Sequence, residues 1–140
     1  MCAKPQEDAP QLFRRMCFNA LISNTDDHPR NHAVIASDAN WKLSPAYDLT
    51  PAALVSIERR DLAMACGDYG RYAHAENLLS QSARFLLTAA EAEAIVDETE
   101  AVVKNRWYAV ARSVGVSEAD CAKISGAFAY EGFRPTLPSQ

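Results

Sequence analysis

Apolar residues first recur at helical spacing over Leu12, Phe13, Met16, Cys17, Ala20 and Leu21, while Arg14, Arg15 and Asn19 fall largely off that face. The pattern predicts an amphipathic helix running to about Ser23. Asp8 with Gln11 three residues later reads as its capping-box-like opening, and Pro10 in the first turn does little harm, because its missing N–H would have no partner there. Residues 24–31, N-T-D-D-H-P-R-N, then break the periodicity, since Asn, Asp and Pro29 all oppose a helix; a polar loop follows directly behind an apolar one. Residues 33–36 and 41–43 read as two short strands around a turn at 37–40, a β-hairpin that Pro45 ends. Residues 46–51 read as an irregular connection. Residues 52–73 fit no single period, and 62–65, ahead of Gly67, suit either a short strand or a helix end.

From His74 onward the pattern turns helical. One helix is expected near 75–87, and Thr88 with Glu91 forms a capping box that opens a long one. Its buried stripe is predicted to be Ala92, Ile95, Val96, Val102, Val103, Val110 and Val114, flanked by Trp107 and stopped at Gly115. A last short helix follows Ser117, with Asp120 three residues on, and the tail from Pro135 is expected to fray. His74 reads as a surface or capping residue. With no internal repeat and no linker, the expected fold class is mainly α with a short β-hairpin, one domain over residues 1–140.

Composition narrows the function. The 140 residues, 49% hydrophobic and 23% charged, suffice for one core but not for two full lobes. Fourteen Lys and Arg against 18 Asp and Glu give a net charge of −4, without the basic footprint that a nucleic-acid partner requires. The pairs Arg14–Arg15 and Arg59–Arg60 read as solvated helix faces. Cys2, Cys17, Cys66 and Cys121 are widely spaced with no C-x-x-C, which points to reduced thiols. No apolar run approaches the roughly 18 residues of a membrane span, and the first ten residues lack a signal-peptide pattern, so the expected location is cytoplasmic.

The candidate chemistry sits in the polar loop, where Asn24, Asp26, Asp27, His28, Asn31 and His32 fall within nine positions. In phosphoryl transfer a carboxylate accepts or orients the acceptor hydroxyl's proton, while an Asn five residues later and an Asp on a following strand end hold Mg²⁺ against the phosphates. Asp26 to Asn31 has that D-x-x-x-x-N spacing and Asp27 to Asn31 does not, so Asp26 takes the base role. Asp48 follows the predicted hairpin directly, in the position that the Asp of D-F-G occupies in protein kinases. An amide and a carboxylate are hard oxygen ligands that suit Mg²⁺. His28 and His32, four apart, could share a zinc ion on a continuous helix, but Pro29 argues against that helix and no clear third ligand stands nearby.

Residues 18–32, F-N-A-L-I-S-N-T-D-D-H-P-R-N-H, with 41–51, W-K-L-S-P-A-Y-D-L-T-P, resemble the C-terminal domain of HipA-type serine/threonine kinases, the toxins of bacterial HipA/HipB modules. The resemblance extends over nearly the whole chain and implies a protein-kinase-like C-lobe with Mg²⁺ and ATP as cofactors and a protein hydroxyl as substrate. It implies Asp26 as the catalytic Asp, Asn31 and Asp48 as Mg²⁺ ligands, and His28 as a loop-shaping residue, with Asn24 and Asp27 supporting the loop. HipA-type kinases also carry an N-terminal lobe that grips ATP. No such lobe precedes Phe13 here, no Gly-rich loop occurs and Lys4 lies in no strand-like context, so weak or absent activity is expected of this chain alone. A HipB-like antitoxin, a separately encoded N-lobe or a second copy are the expected partners. Small-molecule kinases of the aminoglycoside and choline type share D-x-H-x-x-N, but their later Asp stands in an I-D-[FWY] context. A non-catalytic remnant serving as a partner-binding module is the alternative reading.

Overall fold

Proline at position 5 fixes where the first helix begins. In the computed structural model, which describes residues 2–52 and 58–135, helix α1 spans Pro5–Leu21 with Pro5 in its first turn, where the fixed φ is already helical. Its start lies upstream of the expected opening at Asp8, so Pro10 falls inside the helix rather than in its first turn. Asp8 is not a cap: its carboxylate accepts the Leu43 N–H at 3.1 Å and ties α1 to the hairpin. Strand β1 (Val34–Ser37) pairs antiparallel with β2 (Asn40–Leu43), with Val34 opposite Leu43 and Ser37 opposite Asn40. The turn is therefore only two residues long, with Asp38 at φ 55°, a conformation Asp tolerates better than most residues. On the far side of β2 the Ala3 N–H donates to the Trp41 carbonyl at 2.7 Å.

The stretch that fits no sequence period lies partly outside the described residues, at 53–57. Beyond it Asp61 forms an antiparallel bridge with Tyr72, and Leu62 N–H and Ala73 N–H donate to Arg71 and Arg60 carbonyls. Residues 62–65 are thus neither a regular strand nor a helix end. Arg60 overturns the solvated-face reading of its pair, since it is 4% exposed. Its guanidinium donates to Ser23 Oγ and to the Gly126 (2.6 Å) and Ala127 (3.2 Å) carbonyls, and lies 4.2 Å from the Tyr130 ring centre. Arg15 is half-buried as well and donates to the Ser44 carbonyl.

Helix α2 (Ala75–Ser80) is shorter than the expected 75–87 helix. The Ser80 hydroxyl donates to the Asn77 carbonyl at 2.6 Å, taking the acceptor the next helical turn would use. The chain continues as a 3₁₀ turn at Ser82–Phe85 and leaves through Leu86 in the left-handed region. His74 caps α2 but is fully buried: Nδ1 accepts the Glu76 N–H, so Nε2 carries the proton and donates to the Pro135 carbonyl at 2.6 Å. Pro135 is therefore held rather than frayed, and the rest of the tail, 136–140, lies outside the described residues.

Helix α3 (Ala89–Ser113) opens on the predicted Thr88–Glu91 capping box, and Gly115 at φ 91° follows its end. Ala92, Ile95, Val96 and Val103 are buried, and α3 packs chiefly on α1. Val102, Val110 and Val114 are exposed, against expectation. For Val110 and Val114 the cause is length, since 17 residues of α1 reach about 25 Å and 25 residues of α3 about 37 Å and the stripe outruns its partner, whereas Val102 lines an open groove beside α1. Helix α4 (Glu118–Ile124) is capped by Ser117 as expected, and Trp107 stacks on Phe128 at 4.5 Å.

Phe13, Cys17, Leu21, Leu78, Val96 and Phe133 form the centre of the core. All four cysteines are free, and burial raises Cys17 to about 12 and Cys66 to about 11, so both thiols stay protonated and pack as small apolar groups. Among the described residues no helix is long and apolar enough to cross a membrane.

Arg60→Met is expected to cost about 2–4 kcal/mol, because Ser23 Oγ and two carbonyls lose their donor in a buried setting, while Arg59→Met moves the urea midpoint far less. Burial pulls the Glu100 pKa upward, but hydrogen bonds and charges from Lys104 and Arg134 outweigh it, leaving the value below the ordinary 4.5. The stabilisation is thus present above about pH 4.5 and lost as pH falls through the lower folded value. Glu100→Gln is expected to be less stable than the parent at neutral pH, with the gap closing in acid, as read by urea unfolding across pH.

Candidate active site

The loop that follows α1 starts from a backbone turn. Ile22 ends the helix, Ser23 takes the left-handed conformation at φ 59°, and its hydroxyl donates to the Ala127 carbonyl. The chain is thereby swung back so that Asn24, 2% exposed, lies against the helix it has just left. Asn24 Nδ2 donates to Asn19 Oδ1 at 3.1 Å and to the Asp48 carbonyl at 3.2 Å, and Asn24 Oδ1 accepts the Asp26 N–H at 3.3 Å. One buried amide thus joins the helix, the loop and the segment after the hairpin. Asn19, placed by its periodicity off the apolar face, is fully buried for this purpose.

The adjacent acids divide inward and outward. Asp27 has only 7% of its side chain exposed and pairs with His32 Nε2 at 2.8 Å, closing residues 28–31 into a ring. Asp26 is 75% exposed, with Oδ1 2.7 Å from His28 Nε2. Of the two acids, Asp26 presents its carboxylate to solvent and Asp27 does not. The two histidines face separate carboxylates, and among the described residues no group of three or more His, Cys, Asp or Glu is arranged to hold a metal.

Within the ring, Pro29–Asn31 form one 3₁₀ turn. It aims Asn31 at the segment after the hairpin, where Nδ2 donates to Asp48 Oδ2 at 2.9 Å, and also to the Asp26 carbonyl at 3.3 Å. Tyr47 fixes that segment from the other side, its hydroxyl donating to the Arg30 carbonyl at 2.6 Å. Asp48 sits at φ 57°, a left-handed conformation that Asp adopts more readily than branched residues. Asn24, Thr25, Asp26, Asp48 and Thr50 line a cavity of about 210 Å³, so three of the predicted site residues, Asn24, Asp26 and Asp48, share its wall and Asn31 touches it through Asp48.

The donor set can be weighed against Mg²⁺. Asn31 and Asp48 supply an amide and a carboxylate, both residue types with a hard oxygen donor, but it is the Asn31 Nδ2 and not its Oδ1 that faces the carboxylate here. Mg²⁺ is commonly held by one or two such groups with waters and phosphate oxygens completing an octahedron, so the donor types fit that ion once the Asn31 amide turns its oxygen toward Asp48. Residues missed from sequence are structural partners of the site: Asn19, Tyr47 and the His32 side of the buried pair. A single polar residue within the apolar run 16–22 was the only signal for Asn19, and none marked Tyr47 as a tie.

The family model described as HipA-like C-terminal domain matches residues 1–107. No curated protein and no solved structure matches the chain.

His32→Ala is expected to destabilise the protein by about 2–4 kcal/mol, because it leaves the buried Asp27 carboxylate without its partner. Adding Asp27→Asn to that variant removes the unpaired charge and is expected to recover part of the loss, measured as urea midpoints of the two variants.

Proposed function

This chain belongs to the HipA-like C-terminal domain family, and on that premise we propose that its cleft carries out phosphoryl transfer from Mg²⁺·ATP to a serine or threonine hydroxyl of a protein. The observation that carries the reading is the meeting of Asn31 with Asp48 at 2.9 Å beside the solvent-facing Asp26, three residues from two segments of the chain in kinase order. Asp26 accepts the proton of the acceptor hydroxyl as its oxygen attacks phosphorus, a role worth about 10²–10⁴ in rate. Asn31 and Asp48 would hold Mg²⁺, which when bound neutralises phosphate charge. Asp27 takes no part in proton transfer, because its carboxylate is buried on His32.

No lysine or arginine is among the described residues that line the cavity. The reading therefore assigns the grip on the nucleotide to an N-lobe, whether linked or separately encoded, and expects little transfer from the 140-residue chain by itself. A second reading, a module that binds a HipB-like antitoxin or a second copy, draws on an open groove of about 450 Å³ between α1 and α3. Phe18, Leu49 and Val102 give it apolar walls, with Arg14 and Glu98 paired at 2.8 Å beside them.

Two outcomes are expected. Mn²⁺, as a paramagnetic stand-in for Mg²⁺, broadens the NMR signals of Asn31 and Asp48 first, and Asp48→Ala removes the effect. Wherever ATP-dependent phosphorylation is measured, Asp26→Asn lowers it at least about 100-fold; transfer that is indifferent to Asp26→Asn overturns the reading.

A further inference from the structure

Asp26 is held unevenly. Its backbone is fixed at both ends: the N–H donates to Asn24 Oδ1, and the carbonyl accepts the His28 N–H at 2.9 Å and Asn31 Nδ2 at 3.3 Å. Its side chain, three-quarters exposed, has a single partner among the described residues, His28 Nε2 at 2.7 Å from Oδ1. Without that partner the carboxylate would distribute among its staggered rotamers, only some of which present an oxygen to the cavity.

We propose that His28 is a positioning residue that locks the Asp26 carboxylate through Oδ1 and leaves Oδ2 for the acceptor hydroxyl; the functional half of this proposal rests on the phosphoryl-transfer reading. An ionised carboxylate only accepts hydrogen bonds, so His28 Nε2 carries the hydrogen and donates it. The imidazole can do this because its own backbone is committed in advance. His28 N–H donates to the Asp26 carbonyl, and the His28 carbonyl accepts the Asn31 N–H at 2.9 Å. Pro29 disfavours a helical backbone at the residue before it, and His28 sits at φ −86°, ψ 162°, in the extended region that remains. D-x-H-P is therefore one device: proline sets the histidine, and the histidine sets the acid.

The test reads the Asp26 side chain itself. In the 140-residue chain, Hα–Hβ couplings of Asp26 are expected to report one dominant χ1 rotamer. His28→Ala averages them, and His28→Gln, whose amide can donate in place of the imidazole, restores them at least in part. At about pH 8, where an imidazole is mostly neutral, long-range ¹H–¹⁵N spectra are expected to show His28 in the Nε2–H tautomer, a bias that Asp26→Ala removes. Averaged couplings in the parent, or an Nδ1–H tautomer, overturn the proposal.

In any assay where the parent transfers phosphate, His28→Ala is expected to lower kcat about five- to tenfold with KM for ATP unchanged, and Gln to recover most of it. Loss of transfer in Asp26→Asn with full transfer in His28→Ala sinks the positioning role alone, whereas full transfer in Asp26→Asn sinks the phosphoryl-transfer reading.

Discussion

A loop that leaves a buried helix must be tied back to it if it is to hold a fixed shape, and in this protein the carboxamide of Asn24 makes that tie and sets the site's geometry together. Its Nδ2 reaches the Asn19 side chain and the Asp48 carbonyl, and its Oδ1 takes the Asp26 N–H. Helix α1 belongs to the core through Phe13, Cys17 and Leu21. The stiffness of that packing thus passes through one amide into the two segments that carry the carboxylates. Arg60 reinforces the junction from behind, holding Ser23 against the 126–127 backbone. The cleft is in this sense an extension of the core.

The loop solves a second problem, that of two neighbouring acids. Paired and buried, Asp27 closes the ring that bends residues 28–31 and aims Asn31; Asp26 stays exposed to solvent. A pair of like residues acquires unlike roles because the backbone turns one side chain in and the other out. The same turn gives each acid its own histidine, so no imidazole is left between them to capture a metal with soft or borderline ligands.

Much of this could be read from the chain. The α1 periodicity, the loop, the hairpin, the Thr88 capping box and the Ser117 cap are local signals, and local physics places them. Spacing alone also set Asp26 apart from Asp27, and the structure turns one side chain out and the other in. What escaped were features set by tertiary contact. Arg60 looks like any surface arginine until Ser23, Gly126 and Ala127 are brought around it, and Asn19 looks like a solvent-facing residue until Asn24 folds back. Val110 and Val114 continue a legible apolar stripe, but the sequence carries no measure of where α1 stops supporting it. Pro10 misled because Pro5, five residues earlier, could open the same helix.

The left-handed backbone at Asp48 restricts how the site can decay or be tuned. Few side chains accept φ 57° at little cost, chiefly Gly, Asn and Asp. Substitutions that keep the local fold are therefore drawn from a very short alphabet, in which Asp is the only anion. A lineage, or an engineer, that exchanges this residue without disturbing the backbone arrives almost of necessity at a neutral amide or at no side chain at all. Chain geometry makes this position close to binary, charged or silent, with few graded states between.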